Sequence, residues 1–189
     1  MNGPLLLAWL LTGVFALLTL SCVLRLVRLD YARLGQDLRQ ADLAELLLVV
    51  AMVAMVSPIG GPIPAAGWQA VLVLTAAWFG FAWWRGRGQA PTAGCGHHAI
   101  SAAAMLYMVT AMPHDGMVHG PWLTMPTMAT GPALPLVAIV SAGYFLVDAA
   151  RSGVAAVRTR GVGAPGLTSR KVYRAVMGAG MGYVLLAAT

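Results

Sequence analysis

The sequence predicts an all-α, polytopic membrane protein, and three observations carry that reading. Of its 189 residues, 59% are hydrophobic and only 10% are charged, which is more apolar surface than a soluble domain of this size can bury. Apolar runs of spanning or near-spanning length recur six times along the chain. Charge interrupts these runs only near their ends, whereas a membrane-spanning strand would alternate polar and apolar residues over about ten positions.

The six runs cover about residues 5–24, 38–57, 66–84, 97–112, 133–150 and 171–188, the second and fourth being rather short. They pair into three helical hairpins, at about 4–57, 66–112 and 132–188, within a single transmembrane domain covering residues 1–189. Two Gly/Pro-rich segments, SPIGGPIPAAGW and MPHDGMVHGPWLTMPTMATGPALP, join helices 2 to 3 and 4 to 5. Neither is able to form a sizeable domain. Trp68 and Trp122 are placed to anchor them at one membrane interface, with Trp83 and Trp84 at the other.

All twelve Lys and Arg residues fall on one side of this arrangement. Arg25, Arg28, Arg33 and Arg39 follow the first run, Arg85 and Arg87 follow the third, and Arg151, Arg158, Arg160, Arg170, Lys171 and Arg174 surround the link from the fifth to the sixth. Basic residues accumulate in short cytoplasmic loops, so both termini and the loops near 58–65 and 113–131 are expected outside the cell. The net charge of +6 therefore reports topology in a plasma membrane, with weak attraction to anionic lipid as a secondary effect. It requires no nucleic acid. The LTLSC stretch ending at Cys22 has the outline of a lipoprotein cleavage site, but no basic segment precedes the run and Thr19 stands where an aliphatic residue is usual. Cys22 and Cys95 both fall near the cytoplasmic face, where thiols stay reduced, so no disulfide is expected.

An internal repeat runs through the hairpins. The even helices read ELLLVVAMVAMV from Glu45, HAISAAAMLYMV from His98 and RAVMGAGMGYVL from Arg174, each with a polar residue seven positions before a methionine. The pairs are Glu45 and Met52, His98 and Met105, Arg174 and Met181; three positions later stand Met55, Met108 and Val184. The odd helices each set a hydroxyl three residues before an aromatic: Thr12 and Phe15, Thr75 and Trp78, Ser141 and Tyr144. Positions i, i+7 and i+10 of a helix span about 80° of arc, so His98, Met105 and Met108 share one stripe with Met112 inside it. Glu45, His98 and Arg174 thus form a polar layer beneath a sulfur-rich one. Ionisable groups at matching depth are costly against lipid, so Glu45 is expected to pair with Arg174, with His98 bonded to either, and Asp148 with Arg151 or another loop arginine.

Methionine also serves as an adaptable packing residue, so the stripe has a purely structural reading in which it fills gaps between small-residue helices. The chain nevertheless carries eleven, and Met112, Met117, Met125 and Met128 continue the series beside His114 and His119 in the long outer loop. Thioether sulfur is a soft ligand favouring Cu(I), and imidazole accepts copper or zinc. The candidate metal ligands are accordingly Met52, Met55, His98, Met105, Met108, Met112, His114, Met117, His119 and Met181. CGHH, at 95–98, is weaker as a metal motif. Catalytic signatures for hydrolases, zinc peptidases and nucleotide binding are absent from the sequence, so no enzymatic activity and no nucleotide are expected. Haem is not expected either, because only His97 and His98 lie near a span.

At the His-x6-Met-x2-Met helix, its partner helix and the histidine/methionine loop, the chain resembles a family of small multi-pass membrane proteins of unknown function from actinobacteria. The likeness covers most of the chain. In that family's pattern the second helix also begins with histidine, where this chain has Glu45, so the resemblance implies an asymmetric polar layer rather than a two-histidine site. It implies a plasma-membrane location and carries over no established activity. The function that the residues point to is binding or passage of a soft metal, Cu(I), for instance toward a cuproprotein; the competing class is a non-catalytic accessory or scaffold subunit of a larger membrane complex.

The charge distribution makes a direct topological prediction. Cysteines introduced singly at Gly61 and Gly116 react with an impermeant thiol reagent in intact cells, and one at Gly163 does not. Labelling at position 163 in sealed cells would invert the orientation.

Overall fold

The computed structural model describes residues 3–58, 63–86, 94–111, 134–158 and 167–187. These residues form seven helices and no strand, which bears out the all-α class: α1 (Gly3–Arg28), α2 (Tyr31–Leu34), α3 (Gln36–Val56), α4 (Ala65–Arg85), α5 (Cys95–Ala111), α6 (Pro135–Arg158) and α7 (Leu167–Ala187). The chain divides into two units, residues 1–110 with 114–125 and residues 111–113 with 126–189. α1 to α5 belong to the first, and α6 and α7 to the second.

Local chemistry sets the helix ends. α1 continues past the apolar run to Arg28, so Arg25 lies inside the helix and not in a loop. Asp30 then caps the short α2, its carboxylate accepting from the Ala32 N–H at 3.1 Å. Gly35, at φ +95°, takes the left-handed conformation that ends α2 and admits α3, a backbone that other residues rarely adopt. Pro58 follows the last residues of α3 and supplies no N–H to prolong it. Gly94, at φ +79°, precedes α5 in the same way as Gly35 precedes α3. Pro135 opens α6 at the first helical position, where its missing N–H costs nothing.

Among the described residues, three helices are long and apolar enough to cross a membrane: Leu6–Arg28 within α1, α4 and α6. Along α1, Leu6, Leu10, Leu17, Leu20 and Val27 stay exposed while Ala8, Phe15, Leu18, Cys22 and Arg25 are buried. A hydrocarbon solvent removes the cost of that exposed apolar stripe, and water does not. α3 carries Asp37, Arg39, Asp42 and Glu45 in its first half, so its apolar part is only its second half. α5 is 17 residues long.

In the first unit α1 packs along α3, and α2 turns back against α3. The core there comprises Phe15, Leu48, Val49, Met52, Leu72, Met105 and Met108, all essentially inaccessible. Thr12 and Thr75 turn their hydroxyls onto the backbone carbonyls of Ala8 and Val71 four residues earlier, at 2.8 and 2.7 Å, which satisfies them without an interhelical partner. The aromatics that follow them differ in setting: Phe15 is buried, whereas Trp78 and Tyr144 are exposed. Trp68, expected at an interface, is buried.

In the second unit α6 and α7 form a close hairpin through small residues. A Cβ at Gly178 would stand 2.9 Å from the Phe145 carbonyl oxygen and 3.2 Å from the Ala149 Cβ, so only hydrogen fits between these backbones. At Gly182 the obstacle is the Leu146 side chain, 2.8 Å away, which is able to turn. Small residues that admit close backbone approach are a common way for apolar helices to associate.

Two glycines in this hairpin separate packing from propensity. Gly178→Ala lowers the thermal stability of the detergent-solubilised protein, by about 1–3 kcal/mol as overpacking does. Gly143→Ala, with nothing within 4 Å of its Cβ position, is neutral or stabilising by up to ~1 kcal/mol through helix propensity. Equal effects at the two positions would contradict the close approach at Gly178.

Candidate functional site

Two ion-pair centres and one group of buried methionines gather the chemistry of the described residues. The first centre lies where the Arg28 end of α1 meets α2 and the first half of α3. Arg25, 5% exposed, directs one guanidinium nitrogen, Nη2, at two carboxylates. That nitrogen lies 3.1 Å from Asp42 Oδ1 and forms a short hydrogen bond to Glu45 Oε2. The Tyr31 hydroxyl donates to Asp42 Oδ2 at 2.6 Å, and Cys22 Sγ lies 3.8 Å from the same Nη2. Asp42 and Glu45 are three residues apart and so share one face of α3, turned toward α1.

Arg174 of α7 forms the second centre with Asp148 of α6. Its Nε and Nη2 donate to the two carboxylate oxygens at 2.7 and 2.6 Å, the planar fork-on-fork geometry that arginine alone supplies. This pair is partly open, with side-chain exposures of 37% for Arg174 and 14% for Asp148. Solvent screens it more than the Arg25 cluster.

Within its own unit each of these residues has a partner. Glu45 was expected to meet Arg174, and Asp148 to meet Arg151 or another loop arginine; Glu45 pairs with Arg25, and Asp148 with Arg174. Glu45 and Arg174 belong to different units, and each unit supplies its ionisable residue with a partner of its own. Hydropathy assigns Arg25 to the basic segment after the first run, and the repeat pattern does not mark Asp42. The signal for Asp42 was its i, i+3 spacing to Glu45; that for Arg25 was weaker, because a helix does not have to stop where hydropathy falls.

His98, the third member of the expected polar layer, is buried at the start of α5, its ring centroid 5.2 Å from that of Phe79 and 6.0 Å from that of His97. Gly96 leaves room there for Trp83, whose ring would stand 3.4 Å from an added Cβ. Met105 and Met108, about two and nearly three turns farther along the same helix, are buried, as are Met52 and Met55 on α3. Met181 is buried in the second unit together with Met177, one turn away on the same stripe and absent from the sequence-derived set. Met112, His114, Met117 and His119 lie outside the described residues. Cys22 and Cys95 are both free thiols.

Among the described residues no three His, Cys, Asp or Glu side chains gather in a way that could hold a metal ion. An open apolar groove of about 570 Å³ between α3 and α4, lined by Leu43, Leu47, Leu74 and Trp78 among others, presents no titratable side chain.

Among the described residues, an all-α architecture with three helices long and apolar enough to cross a membrane is that of a helical membrane protein. Residues 37–188 match a domain of unknown function, DUF5134, and the chain belongs to that family. The match begins in α3, so it includes Asp42 and Glu45 but not Arg25. No curated protein and no solved structure matches the chain.

Proposed function

We propose that the protein is a six-span plasma-membrane protein, three hairpins with both termini outside and the basic loops cytoplasmic, that binds or passes a soft metal ion, Cu(I). α3, α5 and α7 would complete the six spans, bundled with the three more apolar helices. Met52, Met55, His98, Met105, Met108, Met112 and Met181 would line the path, with His114, Met117 and His119 at its outer mouth. The resemblance to actinobacterial multi-pass proteins favours that membrane as its home.

The observation that supports this reading is the burial of Met52, Met55, Met105, Met108 and His98 within one unit whose described residues offer no conventional His/Cys/carboxylate metal site. Thioether sulfur holds Cu(I) without losing a proton and without bringing a charge, so it suits a low-dielectric interior. The same burial favours a second reading, an accessory subunit of a larger membrane complex in which the methionines fill the core. Both readings fit this buried arrangement; only the metal separates them.

Detergent-purified protein loaded anaerobically with Cu(I), beside a competent Cu(I) binder under the same reducing conditions, retains copper on metal analysis. Met105→Leu with Met108→Leu abolishes retention while fold and expression persist, leucine being close in volume and equally apolar. Wild-type protein that retains none would sink the metal reading and leave the accessory-subunit one. Retention lost only on changing His114 and His119 would move the site to the outer loop.

A further inference from the structure

α6 has two faces, and α7 occupies one of them. Ala138, Ala142, Phe145, Ala149 and Ala156 are buried, and at about 100° per residue they share an arc of about 60°. This is the side on which Gly178 and Gly182 of α7 approach. Opposite it runs a second stripe, Leu136, Val140, Val147, Arg151, Val154 and Arg158, also within about 60° of arc. Every one of these residues is exposed, Leu136 and Val140 at 76% and 71%, so no other helix covers them. The stripe is apolar for about 16 Å, from Leu136 to Val147, and then turns cationic.

Those cations have no counter-charge on the helix. Asp148 is the one acidic residue between positions 126 and 189, and Arg174 holds it through both oxygens. Arg151 stands three residues from Asp148 and forms no ion pair with it; Arg158 likewise pairs with no described residue. The two arginines instead border one open groove of about 390 Å³, together with Ala150, Val154 and Ala155. They are about 10 Å apart along the axis, a span that two long side chains close around a single anion.

Depth makes an anion necessary. α6 is one of the helices long and apolar enough to cross a membrane. A hydrocarbon layer about 30 Å thick that begins at Pro135 still surrounds Arg151, which lies about 24 Å along the helix, and tilt sets it deeper. A guanidinium facing lipid at that level has to draw a polar partner to itself. A second copy of this chain does not serve, because a two-fold contact through the stripe sets arginines against arginines. A phospholipid matches both parts, with an acyl chain for the leucine and valines and a phosphate for the arginines, whose several N–H donors suit its oxygens.

We infer that the outward face of α6 binds an anionic glycerophospholipid, its phosphate held between Arg151 and Arg158 and an acyl chain laid along Val147, Val140 and Leu136. This is one defined site, in contrast to diffuse attraction between basic loops and anionic lipid. It rests on α6 crossing a membrane, and neither on copper nor on which side faces the cytoplasm.

Full-length protein in detergent, titrated with phosphatidylglycerol and followed by native mass spectrometry, retains one such lipid in preference to phosphatidylcholine. Arg151→Gln with Arg158→Gln weakens retention at least about tenfold, the loss of one charge-assisted contact, whereas Arg151→Lys with Arg158→Lys keeps the preference for the anionic lipid. Arg28→Gln with Arg39→Gln removes the same charge from exposed positions on α1 and α3 and leaves retention unchanged. Glycerol phosphate, which carries the charge without a chain, displaces none of the lipid at equal concentration. Equal retention of the two lipids by the wild-type protein would overturn the proposal without recourse to any variant. An equal loss in the Arg28 and Arg39 variant would overturn it by reducing binding to diffuse charge, and displacement by glycerol phosphate would do so by leaving the apolar stripe no part in it.

Discussion

Burying a guanidinium among apolar helices is costly, and the structure around α1 is organised by how that cost is met. Desolvating a single ion costs several kcal/mol in a real protein even after relaxation, roughly the whole net stability of a small domain. Arg25 recovers it by facing Asp42 and Glu45, and the carboxylates recover theirs by facing Arg25 and Tyr31. None of these groups is able to leave without exposing the others. α1 is therefore held against α3 at a fixed height, and the turn through Asp30 and Gly35 has to return the chain so that residues 42 and 45 meet residue 25. Phe15, Leu48 and Met52 are buried in the same unit.

The second unit solves the same problem more cheaply. Its Asp148–Arg174 pair is bidentate and partly open to solvent, so each group keeps some hydration. Contact between α6 and α7 comes instead from Gly178 and Gly182, which let the helices approach until backbone and small side chains touch. Dispersion over a close interface drives such association where hydrocarbon removes the hydrophobic advantage of burying leucine. One unit is thus locked by charge, and the other by shape.

Much of this was readable in the sequence, and the failures share a cause. Helix existence and burial of Met52, Met55, Met105, Met108 and Met181 follow from 3.6-residue periodicity, a local property. Pairing is not local. Asp148 has Arg151 three residues away, yet it bonds Arg174 at a separation of 26; Glu45 reaches back 20 residues to Arg25. Hydropathy ended the first span at residue 24 because it scores arginine as exposed, and Arg25 is buried because α3 supplies the counter-charge. Asp30 and Gly35 do mark the turn in the sequence, through ordinary capping and left-handed glycine chemistry, but neither says which helix face the returning chain presents.

The central claim is that Arg25 is the clasp of the first unit, and its removal tests that claim most directly. Equilibrium unfolding of the full chain in mixed micelles should show Arg25→Gln to be about 3–5 kcal/mol less stable than wild type, the usual penalty for leaving buried charge without a partner. Adding Asp42→Asn and Glu45→Gln to that variant should restore a large part of the loss, since the groups stranded by the first change are then neutral. An Arg25→Gln protein within ~0.5 kcal/mol of wild type, the range of ordinary surface substitutions, would contradict the account.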